Sequence, residues 1–152
     1  MAETTDSPKL SAKAIGVAGE QFFIARALEE GLNLSLPIGD NLPYDVLVDS
    51  GKHIHRVQVK TCAYPKNTKY SFLLKRGIDG VRYDCSDIDF FVLVALPVRV
   101  LYISPSQKLG DCIKVAAWPT VEDTQGRLEV YRERWDLLLG APLGARTRQP
   151  AL

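Results

Sequence analysis

Hydrophobic residues recur along the chain in patterns that predict a helix, a series of strands and a second helix. Apolar positions follow helical spacing over residues 11–30, where Ser11 is a natural cap and Gly31 a natural stop. Six segments predict β-strands, at residues 33–36, 44–49, 53–61, 70–74, 90–96 and 98–104. The nearly unbroken apolar run at 90–96 indicates a buried central strand.

The last part of the chain is predicted to return to helix. Leu128, Tyr131, Trp135 and Leu138 lie at helical spacing, so an amphipathic helix is predicted over residues 126–139, whereas residues 105–117 remain ambiguous. The order of elements predicts an α/β fold, a single-domain mixed β-sheet flanked by helices. At 152 residues the chain predicts one domain spanning 1–152, with loosely held tails at 1–9 and 140–152.

Composition and hydropathy bear on the cellular compartment of the protein. No apolar run approaches the roughly 18 residues of a membrane span, and the first residues lack the basic and apolar regions of a signal peptide. We therefore expect a cytoplasmic protein with no membrane partner. The three cysteines fit neither a disulfide framework nor a zinc pattern, which favours buried free thiols.

The strands at 44–49 and 53–61 place polar residues where a strand usually has core residues. If Ser50 and Gly51 form a two-residue turn, Asp45 lies opposite Arg56 and shares a sheet face with Gln58 and Lys60. An odd-length turn would instead reverse the faces. The even-length arrangement is favoured because it puts four valines together on the other face: Val46, Val48, Val57 and Val59.

Glu20 is a second unusual polar residue, since its predicted helix is apolar on most sides. A carboxylate in an apolar arc is costly unless it is paired or bound to a cation. One interpretation is a local salt bridge with Lys13, two turns earlier, and the other is a functional site shared with Asp45 and Gln58.

Together these groups predict a metal site. Oxygen atoms of Glu20, Asp45, Gln58 and the backbone carbonyl of Val59 are the hard ligands that suit Mg²⁺. Such an ion could activate water for phosphodiester hydrolysis. Lys60 could orient or deprotonate that water and stabilise the transition state, or it could be a simple phosphate contact.

Charge is distributed unevenly. Residues 52–82 hold eight Lys or Arg and one acid, a net charge of +7, against −6 for the remainder. A polyanion partner is plausible, although a solvated basic surface would have the same composition. The candidate nucleic-acid contacts are Lys66, Lys69, Lys75, Arg76 and Arg82.

At these residues the chain resembles the PD-(D/E)XK nuclease superfamily. The segment from Pro43 to Asp45 stands at the acidic motif, Gln58-Val59-Lys60 replaces the usual Glu-x-Lys, and Glu20 lies on the leading helix. The Gln-x-Lys motif and small size look most like the group I intron-encoded homing endonucleases. This resemblance implies Mg²⁺-dependent cleavage of double-stranded DNA by a homo-oligomer, a dimer or tetramer, with Glu20, Asp45, Gln58 and Lys60 as catalytic residues.

Two other functions remain open on the sequence. A restriction-type or Holliday-junction-resolving nuclease would use the same chemistry on short sites or branched DNA. A non-catalytic DNA-binding domain of the same fold would keep the basic residues without cleavage. Gln58 bears on this choice because it is neutral, so the site has one carboxylate fewer than the usual motif.

Overall fold

The computed structural model describes residues 7–77 and 79–140. Within these residues, helix α1 is followed by nine strands, two short α-helices and two 3₁₀ turns, and a five-stranded sheet has the order β1-β2-β3-β7-β8. The helices are α1 (Ala12–Glu29), α2 (Ser106–Leu109) and α3 (Trp135–Leu139). The strands are β1 (Asn33–Ser35), β2 (Val46–Asp49), β3 (Ile54–Cys62), β4 (Tyr70–Leu73), β5 (Lys75–Arg76), β6 (Val81–Arg82), β7 (Phe90–Ala95), β8 (Val100–Pro105) and β9 (Lys114–Ala117).

Helix α1 begins and ends as the sequence predicts. The Ser11 side chain accepts a hydrogen bond from the Ala14 amide, and Gly31 has a φ of 84°, the left-handed conformation that glycine adopts readily. The helix buries Phe23 and Ala27 completely against the sheet. This contact places the N-terminal half of α1, with Glu20, over the C-terminal end of β3.

The sheet is mixed, and both of its faces are covered. Strand β3 pairs antiparallel with β2 and parallel with β7, while β7 pairs antiparallel with β8. One face packs its valines against α1, and the other packs Phe91 and Leu93 against β4, β9 and the segment around Leu128. A mixed sheet flanked by helices is the predicted fold class, which is therefore confirmed.

The β2–β3 hairpin corrects the predicted register but keeps the predicted faces. Asp49 pairs with Ile54, so the loop has four residues rather than two, and the pairing is displaced by two residues. The Ser50 amide donates to the His53 carbonyl at 3.0 Å, and Gly51 has a φ of 83°. Because the displacement is even, strand parity still assigns Asp45 to the face of Gln58, and Asp45 lies directly before the first pair of the hairpin, Val46 and Val57.

The predicted helix over residues 126–139 is wrong. The segment contains one 3₁₀ turn at Glu129–Tyr131 and the short α3, and Glu133 between them has a φ of 50°. Its backbone pairs with the edge of β8 instead, since the Glu133 amide donates to the Leu101 carbonyl at 3.0 Å. The helical spacing still marked core positions, because Leu128 and Leu138 are fully buried.

Two small antiparallel pairs complete the fold. The ambiguous segment at 105–117 forms α2 and then β9, which pairs with β4. Strands β5 and β6 form a two-stranded ribbon that the sequence did not predict, and Gly77 and Gly80 at its turn both have positive φ. The three cysteines are free but only half-buried.

Two expectations concern the chain as a whole. No helix among the described residues is long and apolar enough to cross a bilayer. Most of the predicted tails, residues 1–6 and 141–152, lies outside the described residues.

Candidate active site

The site is built around the open edge of β3. Strand β2 begins at Val46, opposite Val57, so the end of β3 has no β2 partner. The Asp45 carboxylate takes the place of that partner. Its backbone amide donates to the Val57 carbonyl at 2.9 Å, and its Oδ2 accepts the Val59 amide at 2.9 Å. Asp45 is therefore fixed at the sheet edge by backbone contacts on both sides of Gln58.

Glu20 reaches the same edge from helix α1 through a very close packing contact. The preceding residue, Gly19, is buried against Thr61, two residues beyond Val59 on β3. A Cβ atom on residue 19 would lie 1.7 Å from Thr61 Oγ1, so only glycine fits there. This approach brings Glu20 within the electrostatic influence of Asp45.

Gln58 and the Val59 carbonyl complete a group of oxygen donors. Gln58 is 7% exposed, and its amide Nε2 donates to the Val59 carbonyl at 3.3 Å. A residue's N–H and C=O point to the same side of a strand, so the Val59 carbonyl faces the open edge beside Asp45. Rotating the Gln58 amide by 180° would place its oxygen beside that carbonyl.

The two carboxyl groups are held in conditions that disfavour negative charge. Burial, together with the charge of Asp45, raises the pKa of Glu20 from 4.5 to about 7. Burial also raises the pKa of Asp45, although the Val59 hydrogen bond and the charge of Lys60 oppose the shift. Within the described part of the chain, Glu20 forms no ion pair with Lys13, which leaves the salt-bridge interpretation without support.

Lys60 lies on the same sheet face as Gln58, and its ammonium is partly enclosed. Nζ donates to the Lys75 carbonyl at 3.0 Å and lies 4.9 Å from the centre of the Tyr83 ring. Burial lowers the pKa of Lys60, and the negative charge of Asp45 opposes that shift. A cation placed this way can face both a metal site and a phosphate.

The donor set fits a hard divalent cation. Among residues 7–77 and 79–140, no three His, Cys, Asp or Glu side chains group together as a metal cluster. The candidate ligands are instead two carboxylates, an amide and a backbone carbonyl, all of which offer oxygen. Burial and then repulsion by Asp45 raise the Glu20 pKa, and a cation between the two carboxylates would offset both effects, so the residues present suit Mg²⁺.

The comparisons with known proteins identify the family. The family model of the PD-(D/E)XK endonucleases matches residues 10–138, which is most of the chain. The chain belongs to the PD-(D/E)XK endonuclease family. The structure of a bacterial homing endonuclease, I-Ssp6803I, is similar, with a TM-score of 0.74 and 27% sequence identity. That match covers 87% of this chain and 94% of the other. The search of curated proteins gives no significant match.

Four of the five predicted basic contacts of this endonuclease form two pairs of like charge. Lys66 and Lys69, both exposed, exchange backbone hydrogen bonds of 3.0 and 3.1 Å across a tight turn. Lys75 and Arg82 lie directly opposite each other on the β5–β6 ribbon. Like charges placed opposite each other across strands are destabilising. A bound polyanion would offset the repulsion within each pair.

Arg76 and Arg82 are both exposed on the ribbon, whereas Lys75 is half-buried. Arg76 Nη2 donates to the Asn41 carbonyl at 3.2 Å, which links the ribbon to the loop that precedes Asp45. The ribbon residues of the predicted set therefore lie beside the candidate site, because the Lys75 carbonyl contacts Lys60. Tyr83 also lies at the site but was not predicted from the sequence. Its only sequence signal is an aromatic ring directly after a basic strand.

Proposed function

We propose that this endonuclease is Mg²⁺-dependent and cuts both strands of double-stranded DNA at a specific sequence, as a homing endonuclease. One observation carries the proposal: Asp45 lies within the electrostatic influence of both Glu20 and Lys60, beside the like-charged pair of Lys75 and Arg82. The similarity to a bacterial homing endonuclease over 94% of that chain supports the homing type.

Each residue of the site has a distinct role in this proposal. Glu20, Asp45, Gln58 and the Val59 carbonyl hold the metal ion. A bound Mg²⁺ supplies Lewis acidity, which polarises the scissile phosphate and lowers the pKa of water. Lys60 orients or deprotonates the attacking water and offsets the negative charge that develops at phosphorus.

DNA binding rests on the basic surface. Lys66, Lys69 and Arg82 contact phosphates, and Lys75 and Arg76 extend the contact along the ribbon. A chain of 152 residues offers limited contact area for a long target, so we expect a homo-oligomer, a dimer or tetramer. Light scattering with DNA bound measures this directly, and a monomer at all concentrations would contradict it.

Cleavage of a randomised duplex library with Mg²⁺, followed by sequencing of the ends, tests activity and specificity together. We expect defined ends that disappear with EDTA and in the Asp45→Asn and Lys60→Ala variants. Two exposed residues that are not part of the proposed site give matched controls, Asp123→Asn and Lys108→Ala, which should cleave normally.

The other outcomes identify the alternatives. Faster cleavage of a four-way junction than of any linear duplex would assign a junction-resolving enzyme, and cleavage at very short sites a restriction-type enzyme. Tight DNA binding without metal-dependent cleavage would assign a non-catalytic binding domain. Normal cleavage by Asp45→Asn would show that the active site lies elsewhere.

A further inference from the structure

The ammonium group of Lys60 is held by the basic ribbon rather than by the sheet that carries it. Its hydrogen-bond acceptor, the Lys75 carbonyl, belongs to β5. The aromatic ring 4.9 Å away belongs to Tyr83, the residue directly after β6. Because Lys75 pairs with Arg82, both contacts come from adjacent positions at the same end of the ribbon.

The Tyr83 ring is itself held in a defined orientation. It meets the ring of Phe91 edge-on, with 5.5 Å between ring centres and 79° between ring planes. Phe91 is 2% exposed and lies opposite Gln58 in the sheet. The ring is therefore supported by the same part of the sheet that presents Gln58 and Lys60.

A lysine side chain has four rotatable bonds, so one hydrogen bond leaves it considerable freedom. The face of an aromatic ring attracts a cation within about 6 Å, and the attraction strengthens when water is excluded. Tyr83 thus adds a second restraint to Lys60, on a half-buried surface where such contacts are strong. Asp45 also influences the Tyr83 phenol, and burial and that charge raise its pKa to about 12, which keeps the ring neutral.

We infer that Tyr83 is a positioning residue, whose ring face holds the Lys60 ammonium in place for cleavage. The inference rests on the proposed function for its catalytic consequence, but the contact itself can be measured independently. It predicts that the ring matters more than the hydroxyl, and that the reaction rate depends on Tyr83 more than DNA affinity does.

Nuclear magnetic resonance tests the contact without any need for activity. Protons above a ring face are shielded by its ring current, so the Lys60 ε-methylene signal should lie upfield of ordinary lysines. We expect the signal to move to its ordinary position in Tyr83→Leu and to remain upfield in Tyr83→Phe. An ordinary Lys60 shift in the unaltered protein would overturn the inference.

Single-turnover cleavage tests the consequence. With enzyme in excess and saturating Mg²⁺, we expect Tyr83→Leu to cleave about 10-fold more slowly, in line with the usual strength of a desolvated cation–π contact. Tyr83→Phe should recover most of that rate. The affinity of Tyr83→Leu for DNA without metal should stay within about twofold of the unaltered protein, because the ring contacts Lys60 rather than phosphate.

A matched variant separates positioning from loss of core packing. Tyr131 is another half-buried tyrosine packed on the same core cluster, so Tyr131→Leu should lose comparable packing without a loss of cleavage rate. Equal slowing in both leucine variants, or unaltered cleavage in Tyr83→Leu, would overturn the inference. No cleavage by the unaltered protein would overturn the proposed function instead, and the Lys60 signal would still decide the contact.

Discussion

The contact between Gly19 and Thr61 predicts that a single methyl group will disturb the active site. In Gly19→Ala the new Cβ would lie 1.7 Å from Thr61 Oγ1 and 2.7 Å from Thr61 Cβ. Ordinary contact begins near 3.4 Å. Rotation about χ1 can move Thr61 Oγ1 aside but cannot move Thr61 Cβ, so α1 and β3 must separate by at least about 0.7 Å. Overpacking of this kind costs about 1–3 kcal/mol, and the movement carries Glu20 away from Asp45.

Gly16, one turn earlier on the same helix, is the matched control. A Cβ there would meet nothing within 4 Å, so Gly16→Ala should stabilise the helix by about 0.5–1 kcal/mol. Both variants gain the same helix propensity. The difference between their unfolding midpoints therefore isolates the clash, and it should amount to about 2–12 °C for a domain of this size.

Cleavage gives the second measurement for this pair of variants. Displacements near 1 Å in a catalytic group can lower rates about 100-fold, so we expect a loss of that order in Gly19→Ala and none in Gly16→Ala. Adding Thr61→Ala removes the contacts with Oγ1 and Cγ2 and leaves the Cβ contact at 2.7 Å, so it should restore part of the rate. Equal stability and equal cleavage in the two alanine variants would refute the reasoning.

Two further predictions concern charge. The pKa of Glu20 is about 7 in the folded protein and near 4.5 in the unfolded chain. Ionisation of Glu20 therefore lowers the free energy of unfolding by an increasing amount as the pH rises between those two values. In EDTA, Glu20→Gln should be more stable than the unaltered protein at pH 8, by about 1 kcal/mol after allowance for solvent. Urea unfolding should show that this gain in stability vanishes near pH 4.5. At pH 8, Mg²⁺ should reverse the gain. A gain independent of pH would contradict the raised pKa of Glu20. Replacing Lys66 and Lys69 with Gln should lower the salt dependence of DNA affinity by about one unit per lost phosphate contact, whereas Lys108→Gln should leave it unchanged.

The site could be anticipated from the sequence because strand parity depends on few features. The valines on β2 and β3 define the face that packs against α1, so parity assigns Asp45, Gln58 and Lys60 to the other face. The actual loop length changed the pairing by two residues without changing that result. The prediction of which residues share a face therefore stays correct after an error in register, provided that the error is an even number of residues.

Other features depend on contacts between segments distant in sequence. Glu133 adopts a positive φ because its backbone and side chain serve β8, Arg26 and Trp135, and no local pattern signals this. The same applies to Tyr83, whose role depends on a ribbon of only two residues per strand. At Glu133, tertiary pairing replaced helix propensity. At Tyr83, it created a new contact.

The attachment of Lys60 to the β5–β6 ribbon has a consequence for redesigning target specificity. Arg82 is exposed and can be exchanged to change how the protein engages DNA, whereas exchange of Arg76 would also remove its hydrogen bond to the Asn41 carbonyl. The Lys75 carbonyl and the Tyr83 ring cannot be displaced in the same way, because they hold Lys60. A grafted ribbon should therefore keep the backbone at 75 and the ring at 83, and vary only what lies between them.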